Sequence, residues 1–171
     1  DSYINVKKIL AGNLYDLVVV QNFFPLLSPS VHYAAKSQKV PVVQFLRNYR
    51  QFCLNGLALR DNKPCELCLG RLIPWPGIYY SCYRNNRLAS LVVALLLIVH
   101  RILKTWHRKV DMFVVLTGFA KKMNIRAGLS AEKIFIKPNF VHPDPGVGQG
   151  AGNYVLFVGR LSEEKGIHSL L

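Results

Sequence analysis

The sequence predicts an α/β fold, a parallel sheet flanked by helices, on three observations. Short β-branched apolar runs alternate with helical stretches along the chain. The spacing of strand, helix and strand between residues 16 and 46 is that of a βαβ unit, for which a right-handed crossover is the default. The strand runs are apolar on both faces, the pattern of parallel strands covered on each side.

The elements follow in order. "DLVVVQN", Asp16 to Asn22, is the first strand, preceded by the breaker pair Gly12-Asn13. "SVHYAAKSQK" is a short helix, with Pro29 and Ser28 or Ser30 well placed at its start. "VPVVQFL", Val40 to Leu46, is the second strand. Residues 48 to 86 break the rhythm. They carry all four cysteines, Pro64, Pro74 and Pro76, and read as a loop-rich insert. A long helix then runs from Arg87 to about Trp106, apolar all round in its middle, which predicts burial between layers. "DMFVVLT" is the third strand, "GFAKKMNIRAG" a helix closed by Gly128 at C′, and "KIFIKPN" the fourth strand. Residues 140 to 153, rich in Pro and Gly, read as a linker. This divides the chain into a domain at 1–139, the linker, and the start of a second domain at 154–171.

At 171 residues, just over half of them hydrophobic, the chain has enough apolar material for a core. Its 22 Lys+Arg against 9 Asp+Glu give a formal charge of +13, which favours anionic partners without choosing among phosphate groups, nucleic acid and an acidic membrane surface. The opening "DSYINVKKIL" has neither the long apolar core nor the cleavage site of a signal peptide, and reads as the tail of a helix already under way. Leu91 to Val99, the most apolar stretch, is far short of the ~20 residues of a membrane span. Four cysteines without a secretion signal point to a reducing, cytoplasmic setting.

The last stretch, "YVLFVGRLSEEKGIHSLL", is a strand run at Val155 to Val158, a Gly-Arg turn and a helix start. Ser162 is a natural N-cap, and Glu163 and Glu164 suit the positive end of the dipole. Lys165 opposes that dipole at a cost of about 0.3–1 kcal/mol, and Arg160 stands just before the cap. An anion at the helix start accounts for both cations, with Gly159 allowing close backbone approach. A solvated turn in which the glutamates neutralise the lysine accounts for them equally well.

This stretch resembles the start of the C-terminal domain of family 4 glycosyltransferases, retaining enzymes of the GT-B fold built from two Rossmann-like domains. "VVVQNFFPLLSPSVHYAAKSQKVPVVQFLRNYRQFCLNGLALRDNKPCELCLG" and "DMFVVLTGFAKKMNIRAGLSAEKIFIKPNFV" resemble the N-terminal domain of a bacterial subgroup, so the likeness covers nearly the whole chain. The resemblance implies a Rossmann-like, mainly acceptor-side domain followed by the first elements of a donor-side domain. It implies that Gly159, Arg160 and Lys165 bind the donor's phosphates, and that the substrates are a nucleotide-sugar and a glycan or lipid-linked acceptor. It also implies that the glycine-rich loop lies before residue 1 and the E-x7-E pair beyond Leu171, so that this stretch alone is inactive. Where many relatives have a histidine near the reacting sugar, this sequence has Arg47. A guanidinium there can hold a phosphate or carboxylate bidentately, or simply belong, with Arg50, to a solvated basic turn.

Cys65-Glu-Leu-Cys68-Leu-Gly70 has the two-residue spacing and trailing glycine of a zinc knuckle, and Cys53 and Cys82 would complete a Cys₄ site. Such a structural zinc would staple a loop too poor in apolar surface to order itself. Ordinary thiols, or redox and disulfide chemistry, are the alternatives. A catalytic metal is not expected, since four thiolates leave no open position. His100 and His107, one heptad apart, suit a helix C-terminus as imidazolium ions. The basic cluster from Arg101 to Lys109 suits either that dipole or an anionic lipid surface, at the inner face of a cell membrane. The rival class is a zinc-stapled basic module binding nucleic acid, disfavoured because aromatic and basic residues do not alternate. A relative that only binds sugar-nucleotide is the third reading.

Overall fold

The computed structural model describes residues 2–22, 24, 27–148, 150, 152–161 and 165–167. In chain order its elements are α1 (Ser2–Ala11), β1 (Val18–Val20), α2 (Ser30–Ser37), β2 (Val42–Phe45), a small hairpin of β3 (Leu59–Arg60) and β4 (Lys63–Pro64), α3 (Trp75–Tyr79), α4 (Arg87–Ile102), α5 (Thr105–Arg108), β5 (Met112–Val115), α6 (Gly118–Arg126), a 3₁₀ turn (Ala131–Lys133) and β6 (Ile134–Ile136). β1, β2, β5 and β6 form one parallel sheet in that order, and β3 and β4 pair antiparallel apart from it. The α/β, Rossmann-like sheet with helical crossovers is therefore present.

The pairings Val20↔Gln44, Gln44↔Phe113 and Phe113↔Ile134 put one row of side chains on one sheet face, and all four are buried. Val20, Phe113 and Ile134 join Val31 and Ala35 of α2, Val42, Trp106, Val110 and Val115 in the main core. Because successive strand residues alternate in direction, the other face carries Val19, Val43, Phe45, Met112, Val114 and Phe135. Val114 is buried and the other five are half-buried or exposed, so this face is the less completely covered of the two.

Helix ends follow local chemistry. Asn86 caps α4 by accepting from the Ala89 N–H at 2.9 Å, and Thr117 caps α6 by accepting from Ala120 at 3.1 Å. Gly128, at φ +98°, closes α6 as expected. Ahead of α2, the Ser28 hydroxyl accepts from the Ser30 N–H. The long helix expected from Arg87 to Trp106 stops at Ile102. Lys104 takes a left-handed conformation (φ 52°), and α5 restarts at Thr105. That break turns Trp106 into the core, edge-on to His32 at 5.7 Å between centroids.

α4 itself departs from its expectation. Its Val93, Ala94 and Leu97 are buried against Leu54 in a second, smaller core, but the opposite side of the helix is open to solvent. A Cβ at Gly77 of α3 would meet Leu54 Cδ1 at 2.6 Å, so this core depends on glycine for its close approach. Near the end, Val155, Leu156 and Val158 are exposed and form no strand, because a lone apolar run has no neighbour to complete a hydrogen-bond ladder.

Candidate functional site at the carboxyl ends of the strands

In a parallel α/β sheet, the loops leaving the carboxyl ends of the strands project side chains into a common crevice. Here a cavity of about 270 Å³ lies among Gln21 after β1, Phe45 and Arg47 at the end of β2, Leu116 after β5, and Lys137 to Phe140 after β6. Backbone bonds carry the ladder to its edge: Leu46 N–H donates to Val114 O and Lys137 N–H to Val115 O, each at 2.8 Å. Arg47 Nε donates to Gln21 Oε1 at 2.8 Å, and its guanidinium lies 5.5 Å from the Phe45 ring centroid. Lys137 Nζ stands 4.0 Å over Phe140. Two cations, two amides and two aromatic rings at one mouth suit an anionic or polyhydroxylated ligand.

Arg47 therefore sits where a site is expected in this fold, whereas Arg50 does not share its setting. The Arg50 guanidinium is half-buried, donates to Leu54 O and Asn55 O, and lies 4.7 Å over Phe24. It is a structural brace, not part of a solvated turn. Sequence reasoning missed Gln21, Lys137 and Asn139. Each follows an apolar strand run by one to three residues, and that position was the available signal.

Gly159 and Arg160 lie in exposed chain, and Lys165 is exposed as well. Ser162, Glu163 and Glu164, the expected cap and first turn, lie outside the described residues.

The four cysteines come from three segments, Cys65 and Cys68 sharing one turn, and line one small cavity of about 20 Å³, with Leu54, Gly77 and Tyr80 among its walls. All four are reduced. Cys53 Sγ donates to Asn55 Oδ1 at 2.9 Å. Burial pushes the Cys68 thiol up to about 11; the Gly77 N–H opposes that rise, and charge on Cys53, Cys82 or Cys65 adds to it. In kind and in room, four thiols around a space for one small ion suit zinc. In placement they do not yet converge: among the described residues no three His, Cys, Asp or Glu side chains are grouped as ligands of one ion.

His100 is not the dipole-complementing imidazolium expected of it. Burial lowers its pKa, the charge of His32 lowers it further, and its Nδ1 pairs with Thr105 Oγ1 at 2.9 Å. Arg101 likewise turns inward, bonding the carbonyls of Arg71, Leu72 and Gln51.

The fold and crevice define a Rossmann-like α/β domain with a cationic mouth at the carboxyl ends of its strands. No protein-family model, curated protein or solved structure matches the chain.

Proposed function

We propose that the chain is the acceptor-side part of a retaining glycosyltransferase that moves a sugar from a nucleotide-sugar to a glycan or lipid-linked acceptor. The observation that carries this reading is the cationic crevice of Arg47, Lys137, Gln21 and Asn139 at the mouth of a parallel sheet, followed in sequence by the G-R-L-x-x-E-K-G stretch. Breaking the bond between sugar and diphosphate builds positive charge on the sugar and negative charge on the departing phosphate oxygen. Arg160 and Lys165 would stabilise that oxygen, with Gly159 allowing close approach, and the crevice would hold the acceptor. Arg47 holds the acceptor or its anionic group in this scheme and takes no proton.

The nucleic-acid alternative has less support. Two rings near the basic insert are already covered by guanidinium groups within the chain, Tyr80 by Arg60 at 3.9 Å and Phe24 by Arg50 at 4.7 Å, and so are not free to stack on bases.

The test is transfer by the full gene product, read as nucleoside diphosphate released from UDP- and GDP-sugars in the presence of a lipid extract. Arg160→Ala and Lys165→Ala should each lower kcat by tenfold or more, the effect of removing about 1.4 kcal/mol of transition-state stabilisation or more. Near-normal turnover in both variants overturns the phosphate assignment. Salt-dependent binding of single-stranded RNA that nucleotide-sugars do not displace would favour the rival.

A further inference from the structure

We infer that the outer face of α4 docks the protein on an anionic lipid bilayer, lying flat on the surface rather than crossing it. This rests on the exposed side chains of the helix and stands independently of the sugar-transfer reading.

Leu88, Val92, Leu95, Val99 and Ile102 recur at alternating steps of four and three and are 75%, 65%, 51%, 49% and 63% exposed. At 100° per residue they form one stripe along the whole helix, with Leu91 beside it. From Leu88 to Val99 the helix contains no charged residue at all. An outward face normally carries the polar half of an amphipathic helix; here it is the inner face, Val93, Ala94 and Leu97, that meets the protein, and the outer face is equally apolar.

Charge decides what covers it. Exposed Arg84 and Arg87 stand at the start of the helix, and exposed Lys104 and Arg108 follow its end. Between Glu66 and Asp111 the sequence has seven Lys and Arg residues and no carboxylate. A second copy meeting this face across a two-fold axis would bring cation against cation with no acidic partner. An apolar plane bracketed by cations instead matches a bilayer whose acyl region takes the stripe while anionic headgroups meet the ends. No helix among the described residues is long and apolar enough to cross a membrane, so α4 lies on it.

The experiment is co-sedimentation of the purified chain with vesicles of phosphatidylcholine alone and of phosphatidylcholine mixed with phosphatidylglycerol. Binding should favour the anionic vesicles, weaken with added salt, and fall by about tenfold or more in Leu88→Glu and in Leu95→Glu. Both sites are exposed, and matching circular dichroism and melting curves will show that the variants fold. Lys104→Glu with Arg108→Glu should weaken binding to anionic vesicles while leaving the apolar stripe intact. No binding to anionic vesicles, equal binding to both compositions, or binding unchanged in the leucine variants would each overturn the proposal. So would a vesicle-independent dimer of the parent chain that Leu95→Glu converts to monomer, since the face would then be covered by a second copy.

Discussion

Arg47 Nε and Gln21 Oε1 are joined by a 2.8 Å hydrogen bond that spans the carboxyl ends of β1 and β2. One of five guanidinium N–H donors is spent on positioning, which holds the planar group at the crevice while the other four have no hydrogen-bond partner among the described residues. A bidentate acceptor such as a phosphate or carboxylate is the ligand such a group recognises best.

Titration with inorganic phosphate, followed by amide chemical shifts, should therefore perturb Gln21, Arg47, Lys137 and Asn139 together. Arg47→Met should weaken that binding by about tenfold, in line with loss of a charge-assisted bond, and Gln21→Ala by less because only positioning is lost. Shifts confined to other loops would remove the crevice from consideration as an anion site.

His32 gives a pH prediction. It is fully buried, with Nδ1 at 2.9 Å from Pro29 O and Nε2 at 2.9 Å from Gln44 Oε1. Nδ1–H donates to the carbonyl; a neutral ring then needs Gln44 to present its amide N–H₂ to Nε2. Burial lowers the pKa from its ordinary value of 6.5, against the opposing pull of those two bonds. Unfolded chains then take up the proton first as pH falls. The contribution is complete above about 6.5 and is lost as pH drops through the folded value. Thermal melts from pH 8 to pH 5 should show falling stability, and His32→Gln should flatten that slope. An unchanged slope in the variant would assign the effect to other groups.

Lys36 and Asp111 clip α2 to the sheet. Lys36 Nζ lies 2.6 Å from both Asp111 oxygens, and Asp111 Oδ2 also accepts from the Val42 N–H at 2.7 Å. Burial raises the Asp111 pKa, but Lys36 and the Val42 N–H outweigh it and leave the carboxyl below its ordinary value. Both side chains remain partly exposed, so solvent screens the pair. Asp111→Ala should cost about 1 kcal/mol, most of it in the lost bond from the Val42 N–H, and Lys36→Met less. Denaturant melts that show Lys36→Met as the costlier change would reverse that ranking.

Metal content is the direct check on Cys53, Cys65, Cys68 and Cys82. For a structural zinc, each thiol must turn about its single side-chain torsion into the cavity they already share. The expected outcome is one zinc per chain, a fall in melting temperature on chelation, and loss of the metal in Cys68→Ser. A zinc-free chain indifferent to chelators leaves four ordinary thiols. In that case burial keeps the Cys68 proton on up to about 11, against an ordinary 9.0. Unfolding then releases a proton, and stability declines as pH rises through that window.

The order of strands and helices was legible in the sequence because β-branched runs and caps are local signals. Val18–Val20, Val42–Phe45, Met112–Val115 and Ile134–Ile136 all lie inside the expected runs, and Gly128 ends its helix as expected. The expected strand at 155–158 was not found, because a strand is defined by its neighbour and not by its own residues. The outer face of α4 misled for a related reason. An apolar sequence says that a side chain avoids water, not which surface, protein or lipid, shields it.

Sequence alone thus determined the four strands of the sheet, their parallel α/β arrangement, the excess of positive charge and the presence of four closely spaced cysteines. Only the tertiary structure decided which of these residues meet. It brought Gln21, Arg47 and Lys137, far apart in the chain, to one crevice, because parallel strands deliver their ends to the same edge. It turned Arg50 and Arg101 inward as braces, and gathered the cysteines around one cavity. It also left α4 with an uncovered apolar face. Local periodicity fixes what each segment is; the pairing of distant segments, which no local signal encodes, fixes what its side chains can do.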